Sequence, residues 1–145
     1  MKIITALSLI VLLILFTNCN ETKKVIEDNG STQITGTYIV TSLNDTKVSK
    51  DKGISFEISE FNKSIRGTTG CNSFFGFVTK EGQSLSITEI NISENYCDDY
   101  IMKLEQNLLR ALNTAGSYLL KEDILSLYSD SDKSLILNAV KDTIQ

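Results

Sequence analysis

From Ile34 onward the chain alternates apolar and polar residues in short runs, and one long segment breaks that rhythm. Alternation with a period of two marks a strand with one buried face, whereas a helix repeats its faces every 3.6 residues. Thr37 to Leu43 opens the series, with Ile39, Thr41 and Leu43 on one face and Tyr38 and Val40 on the other. Ile54 to Ser59 is a clean alternation, Ser64 to Thr69 a weaker one, and Phe74 to Lys80 a fourth strand. Glu81-Gly82-Gln83 supplies a hairpin turn before Ser84 to Ile90, where Leu85 and Ile87 share a face.

The break comes after Cys97. Ile101, Leu104, Leu108, Ala111, Leu112 and Ala115 recur as one face of an amphipathic helix. Asp98 and Asp99 suit its N-terminus by capping and by complementing the dipole, and Gly116 suits its C-terminal stop. Strands resume at Ser117–Lys121, Ile124–Tyr128 and Leu135–Val140. The fold class is mainly β, with about eight short strands and one helix. Their spacing fits a barrel or a sandwich.

The N-terminus places the chain in a compartment. Ile3 to Phe16 is a nearly unbroken apolar run of 14 residues behind Met1-Lys2. A bilayer span takes about 20, so the run fits the hydrophobic region of a signal peptide. It ends at Phe16-Thr17-Asn18-Cys19, which resembles a bacterial lipoprotein cleavage box in which Cys19 becomes the lipidated N-terminus. The expected organisation is a signal peptide over 1–18, a polar tether over 19–33 and one domain over 34–141. The expected location is the cell envelope, lipid-anchored and facing the periplasm or the surface. Asn20, by resemblance to lipoprotein sorting, favours the outer membrane.

The chain has 14 basic and 18 acidic residues, a net charge of −4 that becomes −5 when Lys2 leaves with the signal. Nucleic acid is not an expected partner, because such a surface needs clustered cations and the only arginines are Arg66 and Arg110. Cys71 and Cys97 are then an even pair in an exported chain, which favours a disulfide. Two reduced thiols, or a redox-active Cys97 at the helix N-terminus, are the alternatives.

Candidate chemistry is sparse. The chain contains no histidine, which excludes Ser-His-Asp and Cys-His catalysis and histidine metal sites. Asp98-Asp99 reads as a cap rather than an acid–base pair. Asp130-Ser131-Asp132 lacks the glycine and distal glutamate of a calcium loop and reads as a surface turn. No catalytic residue, cofactor or metal is expected. Phe75 and Phe77 share one strand face and Phe74 takes the other. If Phe74 faces outward, it is the candidate contact residue.

The block Gly67, Gly70-Cys71-Asn72, Phe74 and Gly76, followed by Ser93 and Cys97, resembles the central pattern of the META domain family. Bacterial members of that family include HslJ-like heat-inducible envelope lipoproteins. Gly36-Thr37-Tyr38 with Leu43 is similar to the family's opening pattern, with Tyr38 where tryptophan is usual. Glu105, Leu108 and Leu112 match its helix. Tyr118, Leu125, Leu127, Leu135 and Leu137 match its closing strands. The resemblance implies a small antiparallel β-barrel with a packed helix and a link to envelope stress. It supplies no catalytic residues. Gly70, Cys71 and Asn72 are expected to shape a turn, since Gly and Asn tolerate left-handed backbone. The expected function is a non-enzymatic, lipid-anchored module that binds another envelope protein or small ligand. The alternatives are a carrier of a small apolar ligand inside the barrel and an inhibitor or chaperone-like partner of exported proteins.

Overall fold

A computed structural model describes residues 33–143. The expected signal segment 1–18, the expected acylation site Cys19 and the expected tether up to residue 32 lie outside the described residues. The strands are β1 (Gly36–Leu43), β2 (Thr46–Lys47), β3 (Ile54–Ser59), β4 (Ser64–Thr69), β5 (Ser73–Glu81) and β6 (Ser84–Ile92). Helix α1 (Asp99–Thr114) follows, then β7 (Ala115–Lys121), β8 (Ile124–Ser129) and β9 (Leu135–Lys141). Neighbours pair antiparallel in the order β2-β1-β3-β4-β5-β6-β7-β8-β9, and β9 returns to pair with β1. The ring is therefore closed by eight strands, with β2 a short hairpin arm on β1. Closure removes the free edges that an open sheet exposes.

The seams are unequal. β1 and β9 are in register from Tyr38↔Lys141 to Leu43↔Leu137. β6 and β7 share the single pair Ser84↔Ser117, reinforced by the Tyr118 N–H donating to the Gln83 carbonyl at 3.0 Å. The helix touches β1, β4, β6, β8 and β9. β4 and β8 stand on opposite sides of the ring, so a helix that reaches both lies across its opening. It buries Leu104, Leu108, Ala111 and Leu112 there.

The interior is filled by side chains. Tyr38, Phe56, Ile54, Ile58, Ile65, Leu125 and Leu127 are among those almost wholly removed from water, and the Tyr38 and Phe56 rings stack at 5.7 Å. The Tyr38 hydroxyl donates to the Ile34 carbonyl at 3.0 Å. Burial, with Asp123 and Glu60 nearby, pushes the Tyr38 phenol up to about 12.

Two expectations need correction. Tyr38, Val40 and Leu43 all face inward, although strict alternation puts Leu43 opposite the other two. A bulge between Val40 and Ser42 inserts one residue and turns the strand's apolar set back to the core. Gly116 is not the helix stop. Ala115 is already extended at φ −63° and ψ 127°, and the chain runs straight from α1 into β7. A side chain at Gly116 would collide with Asp130, whose N–H donates to the Thr114 carbonyl at 2.9 Å. That glycine serves a close approach of two chain segments. The β7–β8 hairpin turns at Glu122 and Asp123, both at positive φ as a type I′ turn requires.

Candidate functional site

The Gly-Cys-Asn block forms the β4–β5 turn and ties that turn to the helix. Gly70 takes φ +88°, and a β-carbon there would meet the Lys52 carbonyl oxygen at 2.5 Å, so the turn requires glycine. Asn72, expected to share the left-handed backbone, has ordinary negative φ. Its contribution is made by its side chain. The Asn72 Oδ1 accepts from Ser93 Oγ at 2.9 Å, Asn95 N at 2.7 Å and Asn95 Nδ2 at 3.1 Å. Its Nδ2 donates to the Asn95 carbonyl at 3.0 Å and to Glu105 Oε2 at 2.9 Å. Thr69 Oγ1 donates to the same Glu105 oxygen at 2.6 Å and accepts from Asn72 N at 2.9 Å.

Glu105 is 6% exposed on a helix whose neighbouring buried positions are apolar. A carboxyl buried without partners is costly, and here two donors converge on one oxygen. Among the described residues, every buried side-chain nitrogen and oxygen has a partner. Cys71 and Cys97 are joined in a disulfide, with Cα atoms 6.0 Å apart. Asp98 caps α1, its Oδ1 accepting from Tyr100 N and Ile101 N at 3.1 Å each. The turn, the β6–α1 connection and the helix are thus held by one covalent bond and a shared set of hydrogen bonds. Thr69, Asn95 and the role of Glu105 escaped the sequence reading. A carboxyl falling on the apolar stripe of a helix, four residues after Ile101, was the available signal.

The chemistry-bearing side chains of the block point inward and are occupied by one another. Among the described residues, no group of three or more His, Cys, Asp or Glu side chains could hold a metal ion. Asp130 to Lys133 form the β8–β9 turn, where Ser134 donates to Asp132 through both its N–H and its hydroxyl. Those bonds hold the Asp132 carboxyl below its ordinary value. Asp51 is likewise lowered, by Ser49 and Lys52.

The aromatic run on β5 resolves in the other direction from the one considered for Phe74. Phe74 is 4% exposed and belongs to the core, facing inward beside Gly67 and Phe56. It is therefore not a contact residue. Phe75 and Phe77 are 43% and 42% exposed, with their rings edge to face at 5.3 Å. Across the outer face, Glu57, Arg66, Phe75 and Asn91 stand in register on β3, β4, β5 and β6. Arg66 donates to Glu57 Oε2 through Nε at 2.9 Å and Nη2 at 2.7 Å. Two shallow grooves of about 530 and 390 Å³ meet at these three side chains, Glu57, Arg66 and Phe75. A smaller hollow of about 250 Å³ lies at the rim, lined by Ile34, Ile58, Val78, Glu60 and Lys63 among others.

Comparison with known proteins agrees with this architecture. The model of the META domain family matches residues 32–142. Among curated proteins none matches. An NMR structure of a protein from Burkholderia xenovorans has the same fold at 19% identity and TM-score 0.61, covering 76% of this chain and 83% of that one. A second NMR structure has 21% identity and TM-score 0.58, over 74% and 89% of the two chains. The crystal structure of a DUF4847 family protein from Bacteroides vulgatus has 13% identity and TM-score 0.56, over 77% and 95%. The closed barrel, the helix across its mouth and the Gly-Cys-Asn turn bonded to Cys97 accompany a family match over nearly the whole described chain, and the protein belongs to the META domain family.

Proposed function

We propose that this chain is a non-enzymatic, lipid-anchored envelope protein that binds another envelope component and contributes to stress tolerance. The observation that carries the reading is the outward pair Phe75 and Phe77 beside the Glu57–Arg66 ion pair. Half-exposed aromatic rings on a rigid sheet are the kind of surface a partner desolvates. The anchor reading rests on the apolar run before Cys19. A photo-crosslinker placed at position 75 in living cells tests the binding, and a covalent adduct absent from a probe at exposed Lys121 is the expected result. Metabolic labelling with a fatty acid tests the anchor. Label on the wild type and none on Cys19→Ser is the expected result.

A second reading, an inhibitor or chaperone-like partner of exported proteins, draws on β6. After its single pair with β7, this strand carries exposed Ser86, Thr88, Glu89 and Asn91 along a seam with no further register pair among the described residues. An extended segment could add there by strand pairing. Crosslinking from position 88 rather than 75 would favour it. The carrier reading draws less support, because the barrel axis is occupied by Tyr38, Phe56 and their neighbours.

A further inference from the structure

We propose that the outer face of β3, β4 and β5 binds a neutral glycan, with Phe75 as the stacking platform and Glu57, Arg66, Ser55 and Thr68 meeting the sugar hydroxyls. The assignment rests on the reading that this face meets an envelope component, and it names the chemistry of that component. The face combines one aromatic platform with a surround of hydroxyls and one internally neutralised ion pair. The groove of about 530 Å³ is lined by Ser55, Glu57, Arg66, Thr68, Ser73 and Phe75 together with strand backbone. The adjoining groove of about 390 Å³ continues past Arg66 and Phe75 to Ser59, Asn62 and Ser64. Both volumes fall within the ordinary range of ligand sites.

The charges decide which ligand fits. Glu57 and Arg66 neutralise each other at 2.7 Å, so the face offers neither an unmatched cation for a phosphate nor an unmatched carboxylate for an amine. A wholly apolar ligand would strip water from that pair and from the surrounding hydroxyl side chains without returning hydrogen bonds. A pyranose answers both demands. Its C–H face carries slight positive charge and lies against the negative face of a phenyl ring. Its equatorial hydroxyls both donate and accept, as the Ser, Thr, Glu and Arg side chains require. Two grooves meeting at one ring suit a linear chain of linked sugars rather than a single one. Other small β-barrels use an outer strand face for oligosaccharides. Nothing in this arrangement breaks a bond, so the site binds and does not cleave.

The test is titration calorimetry of the purified full chain. The probes are neutral linear tetrasaccharides of β-1,4-linked glucose, β-1,4-linked N-acetylglucosamine and α-1,4-linked glucose. Saturable binding of at least one probe is expected. Phe75→Ala should weaken it by about tenfold, the worth of one aromatic contact. Tyr100→Ala, at an exposed ring on the helix, should leave it unchanged. Phe75→Ala should keep the melting temperature of the wild type, so that lost binding is not lost folding. If no probe binds, or if Phe75→Ala leaves the affinity intact, the glycan assignment is overturned. The photo-crosslinker at position 75 then separates the two claims. A protein adduct retains a binding face with a different partner, and no adduct of any kind removes the face reading as well.

Discussion

Asn72 and Phe75 stand three residues apart and do opposite things with their side chains. The Asn72 side chain makes five hydrogen bonds inside the molecule and is withdrawn from water. Phe75, apolar, is held out in solvent on a strand whose other face fills the core. The inversion separates two tasks. The polar residues of the Gly-Cys-Asn block fasten the turn to the helix, whereas Phe75 and Phe77 keep their rings half-exposed, as the proposed binding face requires. The most recognisable residues of such a chain can therefore be those that build its frame, while the face proposed to bind is less conspicuous.

The largest effect should come from the fastening. Asn72→Ala takes one of its two donors from buried Glu105, which keeps Thr69, and removes the hydrogen bonds that hold exposed Ser93 and Asn95 to the turn. A buried group short of a partner costs about 1–3 kcal/mol and each lost hydrogen bond about 1 kcal/mol. A loss of about 3 kcal/mol in chemical denaturation is expected, and a loss below about 1 kcal/mol would show that the cluster is not a fastening. Removing the disulfide with Cys71→Ser and Cys97→Ser together should cost about 3 kcal/mol in the chain-entropy model. The same denaturation curves, with and without reductant, measure it.

Alkaline pH probes the core behind both regions. The Tyr38 phenol is raised to about 12, so the folded state keeps a proton that the unfolded chain releases near pH 10. Its contribution is complete below about pH 10 and is lost as pH rises toward 12. Thermal melts between those limits should fall for the wild type and fall less steeply for Tyr38→Phe. The smallest effect on stability belongs to the display face. Phe75→Ala and Phe77→Ala should each change stability by no more than about 0.5 kcal/mol, as surface substitutions do. A larger loss would mean that the rings are structural and would erase the contrast with Asn72.

The strands and helix were legible because their signal is local. Leu85 and Ile87, or Leu104 and Leu108, declare their face within a few residues. The bulge in β1 was not, since Ile39-x-Thr41-x-Leu43 satisfies alternation as well as the observed arrangement does. The direction of Phe74 stayed open for a related reason. Phe74, Gly76 and Val78 form one apolar set and Phe75 and Phe77 another, so both faces of β5 read as burial candidates. The Thr69–Glu105 bond spans 36 residues, and no local pattern announces a contact of that separation. Glu105 on its apolar stripe was a clue that something polar waited opposite, without saying what.

The pairing of β1 with β9 has a consequence for how such a chain is made. The first strand of the barrel to be synthesised finds its second neighbour only when Leu135–Lys141 arrive, so the ring cannot shut before those residues are made. Until then β1 and β8 each offer an unpaired side, and such sides invite pairing between chains. Contacts this distant in sequence also make folding slow. A chain truncated before Leu135 should be lost to aggregation or proteolysis rather than persist as a shortened barrel.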